Sequence, residues 1–148
     1  MPAPERVTVD DLLDLHERVI ASPDGAAPGI RDAGALEAVT ARPRGGFGGT
    51  AFYTTPFARA SALMESVIQR HPFVDGNKRT GLLAAIFSLE EEGYEVRASQ
   101  KELANVSVEV ADHHLDALGR LLRPPAPSAG RHQRSGRRDP ANVGVRLF

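Results

Sequence analysis

The residues best suited to chemistry lie in one short stretch, 71–79, which reads His-Pro-Phe-Val-Asp-Gly-Asn-Lys-Arg. It combines an imidazole, a carboxylate, an amide and two cations. An apolar run at 82–89 follows at once, so the stretch is predicted to open a buried helix. Free backbone N–H groups and the positive end of the dipole make a helix N-terminus a binding site for anions such as phosphate. The pattern therefore indicates a phosphate site.

Two side chains in the stretch suit phosphoryl or nucleotidyl transfer directly. His71 is the candidate general base, because an unperturbed imidazole pKa of about 6.5 suits proton transfer near neutrality. Asp75 is the candidate Mg²⁺ ligand, since Mg²⁺ prefers carboxylate, water and nucleotide phosphate oxygens.

The next four residues are candidates for binding the phosphates of a nucleotide. Gly76 allows the backbone to approach a phosphate closely. Asn77 can fix the loop or donate to an oxygen, and Lys78 and Arg79 can neutralise phosphate charge. A charged helix N-terminus with ordinary surface cations is the alternative. It explains any one of these residues alone better than it explains the whole set at this spacing.

Local signals predict the helices that must position the stretch. Thr8 caps a first helix, whose apolar face carries His16 as a packed, hydrogen-bonded residue rather than a ligand. Asp32 caps a short second helix, and Thr55 with Pro56 begins a third over 56–70. Pro72 disfavours helical geometry at the preceding residue, so His71 is expected on a loop just past the third helix.

A central helix is predicted over 76–92, because it is apolar on nearly every side through 81–87. Phe73 is expected to anchor the preceding loop in the core. Ser99 and Glu102 form a capping-box pair for a last amphipathic helix that ends at Pro124. No run shows convincing strand alternation, so the predicted class is all-α.

The segment from Arg44 to Thr55 is rich in glycine but lacks the Lys-Ser/Thr ending of a P-loop and the GxGxxG spacing of a dinucleotide fold. We expect a mobile loop or short hairpin beside the site. Such a flap could hold a protein substrate by strand addition. A plain connector is the alternative.

Composition favours one domain over 1–123 and a flexible tail over 124–148. The tail carries five arginines and one acid, against 13 basic and 18 acidic residues before it. A solvated tail without a partner is the simpler interpretation, and a nucleic-acid or protein contact is the alternative. There is no cysteine. No apolar run reaches the length of a membrane span, and no signal peptide is evident, which predicts a cytoplasmic protein.

The stretch resembles the Fic/Doc motif H-x-F-x-D/E-G/A-N-G/K-R and fills every fixed position of it. Residues 29–32 (Gly-Ile-Arg-Asp), 41–43 (Ala-Arg-Pro) and 93–94 (Gly-Tyr) also resemble the Doc, or death-on-curing, branch. The resemblance covers roughly residues 7–122. It implies a Fic-like helical bundle around the motif helix, with His71 as the base, Asp75 on Mg²⁺ and residues 76–79 clamping the phosphates of ATP.

Two positions bear on the branch. AMP-transferring Fic proteins typically have glycine after the asparagine and a second arginine three residues past the first, where this chain has Lys78 and Leu82. Lys78 is the Doc-like residue. Doc proteins are kinases that bind ATP in the reversed sense and phosphorylate elongation factor Tu, which stops translation. Gly76 is Fic-like, because the prototype Doc protein has alanine there.

The resemblance thus implies a Doc-like toxin that phosphorylates a protein hydroxyl with ATP and Mg²⁺ and is silenced by a separate antitoxin. AMP transfer on the same scaffold and a non-catalytic binding module are the alternatives. Residues 88–93 match the inhibitory pattern S/T-x-x-x-E-G/N of Fic proteins, but Glu92 lies within the motif helix. At 1.5 Å per residue it is roughly 20 Å from Arg79 and cannot fold back onto it.

Overall fold

The computed structural model describes residues 7–96 together with residues 99, 101, 102 and 105. Its regular elements, in chain order, are α1 (Val9–Ile20), α2 (Ala33–Ala41), a 3₁₀ turn (Arg42–Arg44), β1 (Gly46–Phe47), β2 (Thr50–Ala51), α3 (Pro56–Arg70) and α4 (Asn77–Glu91). The all-α prediction is confirmed, and the two short strands form a hairpin rather than a layer.

Three of the helices begin as their sequences predict. Thr8 accepts from the backbone N–H of Asp11, whose side chain accepts in turn from the Thr8 N–H, and this capping box starts α1. Asp32 caps α2 through the N–H of Ala35. Thr55 caps α3 through the N–H of residue 58, with proline at the first helical position. Each cap satisfies a backbone donor that has no partner inside the helix.

The core is built around the packing of α3 against α4. Every residue from 80 to 87 is buried, which confirms α4 as the central helix. Gly81 permits the close approach of the two helices, because a Cβ there would lie 3.2 Å from the carbonyl oxygen of Met64 and 3.3 Å from the Cβ of Val67. Helix α1 also packs on α4, and its Leu12, Leu15 and Val19 are fully buried.

Residues 45–52, which we call the flap, form an antiparallel hairpin in which Gly46 pairs with Ala51 and Phe47 with Thr50. Gly48 and Gly49 make the two-residue turn with φ of 60° and 84°. Two consecutive positive φ values are typical of a type I′ turn, which suits the twist of a hairpin and favours glycine. The predicted loop or hairpin is therefore a hairpin.

Several predictions fall on residues that the structure does not describe. These are most of the last amphipathic helix, the domain boundary at 123 and the tail over 124–148, including any nucleic-acid contact made by the tail. Of the predicted capping pair, the bond from the Glu102 N–H to the Ser99 hydroxyl is present at 3.2 Å. Within the described residues, no helix combines the length and apolar character needed to span a membrane.

Candidate active site

The candidate base lies immediately after α3, as predicted from Pro72. His71 is the C-cap residue, with φ of 49° and ψ of 60°, and its N–H donates to the carbonyl of Val67. It is the single non-glycine residue with positive φ in the described part of the chain. Such left-handed conformations cost about 1–3 kcal/mol and persist where surrounding contacts impose them. The helix ends at this point, and His71 is exposed.

Residues 71–76, which we call the motif loop, are closed by Asn77. Its Oδ1 accepts from the N–H of Phe73 at 3.0 Å, and its Nδ2 donates to the carbonyl of the same residue at 2.9 Å. This pair fixes the orientation of the amide. The Nδ2 group also lies 3.4 Å from Nδ1 of His71, so the amide presents a donor to that ring nitrogen. Asn77 thus positions the loop and approaches the candidate base.

His16 supports the motif loop from below. Its ring stacks on Phe73 with centroids 3.8 Å apart and planes 7° from parallel, and its Nε2 hydrogen-bonds the carbonyl of Asp75 at 2.9 Å. Both residues are buried. The prediction of a packed, hydrogen-bonded His16 and a core-anchored Phe73 is therefore confirmed.

Asp75, the candidate metal ligand, is exposed and already engaged by backbone groups. Its Oδ2 accepts from the N–H of Ala27 at 3.0 Å, and its Oδ1 accepts from the N–H of Gly76 at 2.9 Å. These two bonds, that from Ala27 first, lower the pKa of Asp75 below its ordinary value. Bonds to the charged form favour ionisation, so the group is a carboxylate near neutrality.

Arg79, a candidate phosphate ligand, extends toward the loop that joins α1 to α2. Its guanidinium donates to the Ser22 hydroxyl at 3.3 Å and to the carbonyl of Gly25 at 2.5 Å. Together with the Asp75–Ala27 bond, these contacts fasten residues 22–29 across the start of α4. The positive charge of Arg79 is evident from the sequence, but its bonds to Ser22 and Gly25 are not.

The N-terminus of α4 differs from those of the other three α-helices in the described chain. Gly76 is its N-cap at φ of 78°, and no side chain caps the helix. The first helical residues are Asn77, Lys78 and Arg79, with the first backbone bond running from the N–H of Thr80 to the carbonyl of Gly76. The N–H groups of an uncapped first turn are suited to an anion, and Lys78 is exposed beside them.

A cleft of about 320 Å³ lies over this helix start. It is lined by His71, Val74, Asp75, Gly76, Asn77, Lys78 and Arg79. All six candidate site residues of the sequence are thus brought together around one opening. Its volume falls at the lower end of the range of about 300–1,000 Å³ typical of small-molecule sites.

The residues of the cleft fit Mg²⁺ held partly by a nucleotide. A carboxylate offers about four lone-pair positions, and the two backbone bonds of Asp75 leave acceptor capacity on both oxygens. Mg²⁺ is commonly bound through one or two carboxylates with phosphates and water. Among the residues that the structure describes, no cluster of three or more metal-ligating side chains is present, so an all-protein metal cage is not the expected arrangement here.

Glu92 is directed away from the cleft. It forms an ion pair with Arg59 at 2.7 Å, and both side chains are largely buried. Arg59 also donates to the carbonyl of Tyr53 at 3.4 Å. The ion pair holds Glu92 at the end of α4 that lies away from the cleft, which agrees with rejecting residues 88–93 as an inhibitory element.

Sequence reasoning missed the part played by residues 29–32. Arg31 donates from Nε to the carbonyl of His71 and from an Nη atom to that of Arg70, both at 2.6 Å. These partners lie about forty positions along the chain. The sequence did offer one indication, because the Gly-Ile-Arg-Asp segment resembles the Doc branch. That resemblance did not indicate what the segment does.

The chain is similar to known proteins over the region that contains the cleft. The sequence model described as "Fic/DOC family" matches residues 6–89, more than half of the chain and all of the cleft. The chain is also 35% identical over 98 residues to "Toxin Doc" of Mycolicibacterium smegmatis (strain ATCC 700084 / mc(2)155), a match that covers 63% of this chain and 75% of that protein. On these matches the chain belongs to the Fic/DOC family, and its similarity is to the Doc branch.

Proposed function

We propose that this protein is a Doc-like toxin that uses ATP and Mg²⁺ to phosphorylate a hydroxyl group of a protein. By resemblance to Doc proteins, the target is elongation factor Tu and the outcome is a block of translation. A separate antitoxin would hold the activity in check. The relative named Toxin Doc supports the toxin role and, through it, the antitoxin partner.

One observation carries the chemical part of the proposal. The uncapped start of α4 and the exposed imidazole of His71 share one cleft. The helix start supplies donors and positive charge for phosphate groups, and the imidazole supplies a base beside them. Phosphoryl transfer depends mainly on positioning and on electrostatic stabilisation, and this arrangement provides both.

The proposed reaction assigns one task to each side chain. His71 accepts the proton of the target hydroxyl as its oxygen forms a bond to the γ-phosphorus of ATP, and the bond from that phosphorus to the bridging oxygen breaks to release ADP. Lys78 and the first-turn N–H groups stabilise the charge on the phosphate oxygens. Asp75 would hold Mg²⁺, which neutralises phosphate charge when bound. Arg79 joins them when it exchanges its loop contacts for phosphate.

AMP transfer is the second candidate, and Gly76 is the residue that favours it. The structure supplies another reason for glycine at this position. A Cβ on residue 76 would lie 3.1 Å from Val19 Cγ1 and 3.2 Å from the Cβ of Ala26, and φ there is positive. Packing beneath the 22–29 loop accounts for Gly76 without reference to the donor, whereas Lys78 remains the Doc-like residue that supports phosphate transfer.

The test is mass analysis of purified elongation factor Tu after incubation with the protein, ATP and Mg²⁺. We expect the mass of one phosphate, and we expect Lys78→Gly to lose that transfer because it removes a cation beside the transferring group. Replacement of exposed Arg70, on the neighbouring helix, by glutamine is the matched control. Addition of AMP by the wild type would decide for the second candidate, and normal phosphorylation by Lys78→Gly would show that Lys78 is not needed for phosphate transfer.

A further inference from the structure

Residues 29–32 form a short antiparallel pairing with residues 72–74 of the motif loop. The N–H of Val74 donates to the carbonyl of Gly29 at 3.0 Å, and Ile30 forms an isolated bridge with Phe73. The N–H groups of Arg31 and of residue 32 both donate to the carbonyl of Pro72, at 2.7 and 3.1 Å. This pairing fixes the backbone of Arg31 beside the candidate base.

The side chain of Arg31 then reaches the end of α3. Its two bonds are to the carbonyls of Arg70 and His71, the last residues before the chain turns away from the helix. Carbonyls in the last turn of a helix have no partner within it, and the negative end of the dipole lies there. A cation that donates to two of these carbonyls gives them hydrogen-bond partners and also interacts favourably with the negative end of the dipole.

One of these bonds is to His71, the one non-glycine residue with positive φ in the described part of the chain. His71 adopts left-handed φ and ψ, with its N–H bonded to Val67 on one side. Arg31 holds the carbonyl of the same residue on the other side. The peptide groups on both sides of the His71 Cα are therefore held by hydrogen bonds. Arg31, which supplies one of these bonds, is not among the residues that line the cleft.

We infer that Arg31 is a positioning residue for His71, which it keeps in the orientation needed to accept the proton of the target hydroxyl. The inference rests on the proposed transfer reaction and adds to it a residue outside the motif. Arg31 touches neither nucleotide nor target in this role. Loss of its bonds lets the imidazole depart from the productive geometry, and misplacement of a reacting group by about 1 Å can cost about 100-fold in rate.

The kinetic test compares Arg31→Gln and Arg31→Lys with Arg70→Gln, which removes a positive charge from the same helix end but leaves its carbonyl in place. We expect Arg31→Gln to lower kcat about 10- to 100-fold with little change in KM for ATP. Arg31→Lys should recover part of the loss, because an ammonium group can donate to one of the carbonyls. Arg70→Gln should behave as the wild type.

Three kinetic results would overturn the inference. They are a wild-type kcat in Arg31→Gln, a loss confined to KM for ATP, which would mark Arg31 as a phosphate ligand, and an equal loss in Arg70→Gln, which would assign the effect to charge alone. Melting temperatures of all three variants identify any that fail to fold. If the glutamine variant does not fold, Arg31→Lys carries the same comparison.

A second measurement separates this inference from the proposed function. NMR of histidine-labelled protein, with His71→Asn used to assign the signal, reports the imidazole environment without any activity. We expect the His71 ring signals to shift and broaden in Arg31→Gln and to stay unchanged in Arg70→Gln. Unchanged His71 signals in Arg31→Gln would refute the positioning role even if transfer is found. Absence of transfer by the wild type would refute the function and leave the NMR result to decide on Arg31.

Discussion

The flap precedes α3 and the motif loop follows it, and the two regions are built in opposite ways. Asn77 bonds the motif loop on both sides of Phe73, His16 supports it from below, and Arg31 holds the carbonyl of His71. The flap is fixed at its base, where Arg42 bonds Tyr53 and pairs with Glu65. Its own strands are two residues each, with every side chain exposed.

Under the proposed function, this difference fits two separate tasks. A reacting group must be held within a fraction of an ångström, which requires many converging contacts around it. A segment that meets a protein partner benefits from accessible edges and side chains, and Phe47 is 83% and Phe52 64% exposed on the flap. We therefore expect substitutions in the motif loop to affect the chemical step and substitutions in the flap to affect target binding.

The largest effect is expected at His71. His71→Asn removes the base but keeps a residue type that tolerates left-handed backbone geometry. Transfer should fall by about 10²–10⁴-fold, the usual contribution of general-base catalysis, while the melting temperature changes little. Steady-state transfer rates and thermal denaturation measure the two quantities. A variant as active as the wild type would show that His71 is not the base.

Gly76 provides a test of how tightly the motif loop is built. Gly76→Ala should destabilise the protein by about 1–3 kcal/mol, because φ is positive and the new Cβ would contact Val19 and Ala26. Gly49→Ala in the flap is the matched control, since its φ is 84° and a Cβ there meets no atom within 4 Å. Urea denaturation measures both. Equal losses would mean that packing around Gly76 adds nothing to the backbone strain.

Substitution of an exposed flap residue should weaken binding of the protein target. Phe47→Ser should leave the stability within about 0.5 kcal/mol, as is usual for surface substitutions, and raise KM for the protein target several-fold with KM for ATP unchanged. Phe47→Leu keeps an apolar side chain and serves as the control. If kcat falls while KM for the target stays constant, the flap takes part in the chemistry and the contrast with the motif loop fails.

The smallest effect concerns the carboxylate of Asp75. Its folded-state pKa is lowered, so its stabilising contribution is present above the unfolded value of about 3.9 and is lost as the pH falls through the folded value. The amide signals of Ala27 and Gly76 should therefore titrate together with a midpoint below about 3.9. NMR at acidic pH measures this, with Asp75→Asn as the non-titrating control. A midpoint above that value would contradict the two bonds.

The sequence predicted what is determined locally. The helix starts at Thr8, Asp32 and Thr55 and the displacement of His71 by Pro72 each depend on a few neighbouring residues, and the structure confirms them. Burial of α4 followed from its apolar composition. The candidate site residues also lie together because six of them fall within nine positions of one loop and helix start.

The remaining features depend on contacts between distant segments. Arg79 bonds a carbonyl 54 positions away, Asp75 an N–H 48 positions away, and Arg31 a carbonyl 40 positions away. In each case the charged side chain is visible in the sequence and its backbone partner is not, since every residue but proline offers the same N–H and carbonyl groups. Tertiary structure alone determines which of them is within reach.

The glycine start of α4 has a consequence for how this protein can be stabilised. The N-cap residues of the three capped helices, Thr8, Asp32 and Thr55, have extended backbone with φ of −95°, −146° and −121°. In this geometry a side chain can cap the helix. The N-cap of α4, Gly76, instead has positive φ, where a residue with a capping side chain is disfavoured. A conventional cap there would add about 1 kcal/mol to helix stability, but it would occupy the first-turn donors. If the first turn of α4 binds phosphate as proposed, activity and stability compete for the same few N–H groups, and a bound phosphate takes the place of the missing cap.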